Sequence, residues 1–254
     1  MISRTAEHVH IALELGSCLL LLGIWCVLRR NRYQKNRLLR THEFQLEQKD
    51  LLLREVHHRV ANQMGMTAAL LHLQASRSLN PAAKADLFAS ESRIRTLSTL
   101  HTRLYSTHPH SQTLLYPYLS ELASDLITTL RPDLVYCPEF SNDSPATQSN
   151  TAITCGLLVH ELITNCIKHA FPHNQIGTIR LSLHRPHRNR LCISILDNGA
   201  GLPSGFNLES MSSSGMSIIS ALTKDLAGTF TAIQHPAGTE FITEFPLPES
   251  EPVL

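Results

Sequence analysis

The sequence predicts an α+β chain in three parts: an apolar N-terminal helix, a helical hairpin, and a mixed sheet with helices packed on one face. Three observations carry this. The apolar run Ile11–Leu28 is followed at once by basic residues. Helical periodicity without proline extends from about 36 to 76. The second half sets amphipathic helices between paired short strands. With 254 residues, a formal net charge of +1 and 43% hydrophobic residues, the chain suits one or two domains and offers no general basic surface for nucleic acid.

The first element, "IALELGSCLLLLGIWCVL", holds one charge, Glu14, and its length is close to the minimum that spans a bilayer. Arg29, Arg30, Arg32, Lys35, Arg37 and Arg40 follow it, and only Arg4 precedes it. This bias places the C-terminal side in the cytoplasm. A signal peptide would carry its charge ahead of the apolar run; a buried core helix is the other alternative. The expected arrangement is a short extracytoplasmic stretch over 1–10, a transmembrane helix over 11–28 and a juxtamembrane helix over 29–44. This gives a single pass through the inner (cytoplasmic) membrane. A stretch of ten residues holds no globular sensor, so a sensory partner protein is a further expectation. The six cysteines have no framework spacing and read as reduced, small apolar residues.

The helical hairpin is expected over 45–108. Leu39, Leu46, Leu53 and Val60 recur every seven residues, and Val56 is expected to face inward with Leu53 and Val60. This patchy heptad suggests a weak coiled coil that continues into a better-packed bundle. "SLNP" breaks the helix, and Pro81 suits the first turn of the next. That second helix should run from about Pro81 to Tyr105, with Leu87, Ile94, Leu97, Leu100 and Leu104 as its apolar stripe. One hairpin buries little surface, so two are expected to pair as a dimeric four-helix bundle. In the first helix His57 and His58 lie about 100° apart and cannot face the same way. One of them should be exposed, and an exposed histidine alone is ordinarily just a solvated residue.

The second half reads as helix, helix, strand pair, helix, strand pair. "PYLSELASDLITTL" and "TAITCGLLVHELITNCIKHAF" (Thr151–Phe171) are the helices, "GTIRLSLHR" and "RLCISILD" the first strands. "GMSIISALTKDLAG" is the next helix, and "GTFTAIQH" and "GTEFITEF" close as a hairpin. This order disfavours an alternating βαβ dinucleotide fold. Glu161, Asn165, Lys168 and His169 form one polar stripe on an oily helix. A solvated outer face would explain it. So would a phosphate-bound cation, since an Asn amide oxygen is a hard, neutral ligand that Mg²⁺ accepts, with Lys168 and His169 placed for phosphate oxygens. Asp197 ends a strand just before Gly199 and Gly201. That is a turn, or an acceptor for an adenine amino group with backbone free to approach a nucleotide. "SSSGMSII" (212–219) opens a helix whose free N–H groups favour phosphate.

In this order and spacing the motifs resemble those of sensor histidine kinases of the HWE-like (HRxxN phosphoacceptor) branch. "HHRVANQ" resembles the phosphoacceptor motif and "RIRTLSTLHTRLY" the second dimerisation helix. "HELITNCIKHAF" is similar to the N box, "DNGAGLP" and "SSSGMSII" to the two glycine boxes, and "AGTEFITEFPL" to the closing hairpin. The resemblance implies a dimerisation and histidine phosphoacceptor domain over 45–108, a GHKL-type ATP-binding α/β sandwich over 112–248, and a tail over 249–254. It implies ATP and Mg²⁺ as cofactors, a homodimer, and transfer of a phosphoryl group to an aspartate of a response-regulator receiver domain. By residue, it implies His58 as the phosphoacceptor in preference to His57, Asn165 as Mg²⁺ ligand, and Lys168 and His169 at the phosphates. Asp197 reads adenine, Gly199, Gly201 and Gly215 shape the pocket, and Thr239 supports the adenine side. Glu161 orients water or Mg²⁺, or acts as a base. Ala61 departs from a usual Lys, Ser214 and Met216 depart from usual Leu, and the short span from Pro203 to Ser213 implies a small ATP lid. These departures motivate an alternative, an ATP-inactive histidine phosphotransfer or scaffold protein. An ATPase or serine kinase on the same nucleotide fold is a third reading.

Overall fold

The computed structural model describes residues 2–107, 113–140, 145–187, 189–203, 206 and 214–247. The chain divides into two compact units, Met1–Leu53 and Arg54–Leu254. From Ile2 the first unit is helical, as the opening part of helix α1 (Ile2–Arg77). Among the described residues no helix is long and apolar enough to cross a membrane. The run Ile11–Leu28 expected to do so has its side chains, Trp25 excepted, outside the described residues. Trp25 is exposed, and the Arg29 guanidinium lies 5.0 Å from its ring centroid.

In the second unit α1 ends at Arg77 and α2 spans Pro81–Thr107, the break that "SLNP" predicts. Asn80 caps α2: its Oδ1 accepts from the N–H groups of Ala82 (3.0 Å) and Ala83 (3.4 Å). Such a cap is worth about 1 kcal/mol. Proline at the first helical position lacks an N–H that would have no partner there anyway.

Over residues 54–77 of α1 the positions that are not exposed are His57, Val60, Ala61, Met64, Ala68, Leu71 and Ala75, all but Val60 spaced four and three apart. Leu53 and Val60, expected inward, are half-buried. Ala61, Ala68 and Ala75 are buried, and the Ser98 hydroxyl of α2 donates to the Ala61 carbonyl at 3.0 Å. Small side chains are what admit a second helix this closely. The expectation that Val56 faces inward is therefore corrected: Val56 is 53% exposed, and Leu52, Met66, Leu70 and Leu73 are also exposed.

Helix α3 (Leu115–Leu130), α4 (Ser149–Asn165) and α5 (Ser214–Asp225) accompany a five-stranded sheet of order β2-β4-β5-β7-β6. Its strands are β2 (Val135–Phe140), β4 (Thr178–His187), β5 (Arg190–Asp197), β6 (Thr229–Gln234) and β7 (Thr239–Pro246). A separate pair joins β1 (Thr113–Leu114) and β3 (Ala146–Thr147). All neighbours in the large sheet are antiparallel except β2 with β4, which is parallel. Strand β2 is absent from the sequence reading because Pro138 interrupts its pattern. Proline is tolerated there because β2 is an edge strand, whose outer N–H groups make no ladder bond.

Register explains the single core. Leu181, Ile195 and Phe241 are cross-strand partners, as are Leu183, Ile193 and Thr243. These residues share one face, and all but Thr243 pack with Leu119 of α3 and Leu158 and Leu162 of α4 in one cluster. Asp197 pairs with Ile179 and so ends β5 on that same inner face. After Asn165 the last turn of α4 widens into a π-helical turn, Cys166–Ala170. Wide turns of this kind re-aim side chains at sites.

Candidate functional site

At the end of the inner face, Asp197 is 2% exposed. Its Oδ1 accepts from the N–H groups of Gly199 (3.0 Å) and Thr239 (3.3 Å), so the strand end and the start of β7 together fix the carboxylate. Burial pushes this carboxyl above its ordinary range, partly offset by the two N–H bonds and by Cys166. The two glycines serve different ends. A Cβ on Gly199 would stand 2.1 Å from the Ala170 carbonyl oxygen, so only glycine lets this backbone pass the π-helical turn. Gly201 has φ +78, a left-handed conformation that costs a side chain energy.

Between these segments lies a cavity of about 230 Å³, lined by Asn165, His169, Asp197, Gly201 and Thr239 and walled by Leu202, Met216 and Phe241. Apolar walls with one buried carboxylate acceptor fit a purine. Asn165 and Asp197 thus open on one space. Lys168 and Gly215 instead line an adjoining cleft of about 530 Å³ between α2 and α4, which shares Asn165 and His169 with the first cavity. The stripe expected from helical spacing is therefore split: Lys168 and His169 sit exposed on the π-helical turn, while Glu161 is buried in α4.

The Glu161 carboxylate is gripped by Arg93 of α2, with Nε at 2.6 Å and Nη2 at 3.0 Å. Beside it, His160 Nε2 lies 3.2 Å from the Ser92 hydroxyl, and His160 Nδ1 is 3.4 Å from Glu161 Oε1 without the alignment of a hydrogen bond. Burial alone would raise Glu161, but its interactions with His160 and Arg93 hold it below the ordinary carboxylate range. A Cβ on Gly215 would stand 3.5 Å from Glu161 Oε2, 3.6 Å from Asn165 Oδ1 and 3.8 Å from Arg93 Nη2. Asn165 Oδ1 and Glu161 Oε2 thus both approach the start of α5, with the Glu161 carboxylate held by Arg93. An amide oxygen such as that of Asn165 is a hard ligand that a divalent cation accepts. Among the described residues no group of three or more His, Cys, Asp and Glu side chains is placed to hold a metal.

On the hairpin, His57 stacks on Tyr105 with ring centroids 3.8 Å apart, and its Nδ1 is 3.3 Å from His101 Nε2. Burial lowers the basicity of both imidazoles, and the nearby charge of His57 lowers His101 further. His58 is exposed, next to an exposed Arg59–Glu55 ion pair. The Tyr105 hydroxyl donates to Asn150 Oδ1 at 3.0 Å, joining α2 to the start of α4. Sequence reasoning missed Arg93, His101 and Tyr105 as partners. Arg93 and Glu161 are 68 residues apart, and no local spacing links them. Ser212, Ser213 and, apart from Phe206, the lid between Pro203 and Ser214 lie outside the described residues.

A family model described as "Histidine kinase" matches residues 55–130. A second, the "Histidine kinase-, DNA gyrase B-, and HSP90-like ATPase", matches residues 151–249. The chain is similar to the sensor histidine kinase PdtaS of Mycolicibacterium smegmatis, 29% identical over 253 residues, covering 96% of this chain and 47% of the relative. It is similar to blue-light-activated histidine kinase 2 of Erythrobacter litoralis, 24% identical over 209 residues, covering 81% of this chain and 60% of the relative. The chain spans about half the length of the curated relatives it matches. Its fold is similar to the histidine kinase domain from the Erythrobacter litoralis EL346 blue-light activated histidine kinase, with TM-score 0.56 and 23% identity over 78% of this chain and 92% of that one. With both matched regions in their expected order around this site, the chain belongs to the histidine kinases of the HWE-like branch that carry a GHKL-type ATP-binding domain.

Proposed function

We propose that this chain is an ATP-dependent protein-histidine kinase of a two-component system. It autophosphorylates His58 and passes the phosphoryl group to an aspartate of a response-regulator receiver domain. The observation that carries the reading is the shared cavity: Asp197 and Asn165 open on one space, next to a cleft floored by the phosphoacceptor hairpin's own helix α2. Asp197 accepts from the adenine amino group, and Thr239 and Gly199 hold its carboxylate in place. Gly201 leaves the backbone open to the base. Asn165 would hold Mg²⁺, Glu161 would orient water or the cation or act as a base, and Lys168 and His169 meet phosphate oxygens. The cation, when bound, neutralises phosphate charge. An imidazole nitrogen of His58 attacks the γ-phosphorus. The nitrogen–phosphorus bond forms as the bond to the β-phosphate oxygen breaks, ADP leaves, and the ring proton passes to solvent or to a base. Stacking of the half-buried His57 on Tyr105 and exposure of His58 favour His58 as the acceptor.

Two further parts complete the proposal. The apolar run Ile11–Leu28 and the basic residues behind it support a single-pass anchor, with the kinase part on the cytoplasmic side. The exposed apolar side chains Leu52, Val56, Met66, Leu70 and Leu73 support a homodimer through α1.

Labelled ATP tests the chemistry. The parent chain is expected to acquire an acid-labile label that His58→Ala and Asp197→Ala abolish and His57→Gln retains. No acid-labile label on the parent would end the reading in favour of an ATP-inactive scaffold. A label that survives loss of both histidines would favour a serine kinase.

A further inference from the structure

The cleft between α2 and α4 holds an arrangement that the kinase reading leaves unused. Arg93 belongs to the hairpin, yet its guanidinium sits against Glu161 beside Asn165, at the start of α5. The cleft opens on the same Asn165 and His169 that line the cavity with Asp197. A nucleotide whose base lies at Asp197 therefore sends its phosphates past Asn165 toward Arg93. The Arg93 guanidinium, the Glu161 carboxylate and the Asn165 amide are all among the side chains that line this cleft.

We propose that Arg93 is a phosphate-contacting residue that exchanges Glu161 for the terminal phosphate of a bound nucleoside triphosphate. This rests on the kinase reading, which places a triphosphate in the Asp197 cavity. With no nucleotide, Arg93 and Glu161 neutralise each other, as a buried pair must. A terminal phosphate carries more negative charge than a carboxylate and offers a guanidinium the same two-oxygen face. A triphosphate extends one phosphate further along the cleft than a diphosphate and carries its terminal charge there. Turning of Arg93 leaves Glu161 free beside Asn165, while the Ser92–His160 contact at 3.2 Å keeps α2 on α4. Because the side chain that changes partner is rooted in α2, the hairpin registers which nucleotide is bound.

The test is calorimetric titration of the full chain in detergent with the magnesium salts of ADP and of the β,γ-imido analogue of ATP. The parent is expected to prefer the triphosphate. Arg93→Ala should weaken triphosphate binding about 10-fold or more and ADP binding by less than about 3-fold, as loss of a charge-assisted contact predicts. Arg93→Lys, which keeps the charge but not the fork, should recover part of the loss. Equal weakening of both nucleotides would make Arg93 a structural residue and overturn the exchange. Unchanged or tighter triphosphate binding would overturn it too, leaving Arg93 a clamp on Glu161. Should Arg93→Ala fail to fold, Arg93→Gln is read by the same criteria. A parent that binds neither nucleotide would sink the kinase reading and the exchange with it; a parent that binds both, with unaltered discrimination in the variants, would sink the exchange alone.

Discussion

At the residue scale, glycine and carboxylate positions carry the site. Gly199 is the sharpest case, because its missing Cβ clears the Ala170 carbonyl, which is held by a hydrogen bond from the Ala200 N–H at 2.8 Å. Gly199→Ala is expected to destabilise the chain by about 2 kcal/mol, as overpacking against a fixed neighbour does, and to weaken nucleotide binding. Urea unfolding with parallel nucleotide titration checks both; full stability with full affinity would show that the Ala170 carbonyl gives way. Asp197 and Gly199 were legible in the sequence because a strand-end acid before glycines is a local pattern. The partner of Glu161 was not. Its carboxylate is fixed by Arg93 on another element, and only three-dimensional packing brings the two together.

At the element scale, the hairpin was legible where chemistry is local and illegible where it is not. "SLNP" marks both the stop of α1 and the Asn80 cap of α2. By contrast, Val56 looked like a core position because aliphatic periodicity does not say which of two apolar stripes a partner covers. Alanines took that place, and Ala61 is explained by close helix packing, with Ser98 bonded to its carbonyl. Strand β2 was hidden by Pro138 and by a parallel pairing with a strand some forty residues on. The hairpin also carries a pH prediction. His57 and His101 both titrate below the ordinary imidazole value of 6.5 in the fold. The unfolded chain therefore binds more protons around that pH, so their contribution to stability is complete above 6.5 and fades as pH falls through the lower folded values. The urea midpoint should drop between pH 7.5 and pH 5.5 by more, on the order of tenths of molar, in the parent than in His57→Gln/His101→Gln. Equal drops in both would remove the pair from the account.

At the scale of the whole molecule, the α+β plan with helices on one face of a mixed sheet followed from hydrophobic periodicity, and the order of the motifs from the family resemblance they carry. The division into two adjoining cavities did not, because it depends on how α2 lies on α4. The exposed stripe of Val56, Met66, Leu70 and Leu73 supports the proposed homodimer through α1. Sedimentation of the parent at micromolar concentration should give a dimer, and Met66→Glu/Leu70→Glu should shift it to monomer; a monomeric parent would remove the assembly. The shared wall at Asn165 and His169 has a consequence for chemical intervention. A purine-mimicking fragment seated at Asp197 has a direction in which to grow, out past Asn165 and into a chamber whose far side is Ala85, Phe88, Ala89 and Ser92. Those side chains come from α2, outside the proposed nucleotide boxes, so an elongated compound would owe its selectivity to the hairpin while drawing its potency from the Asp197 cavity.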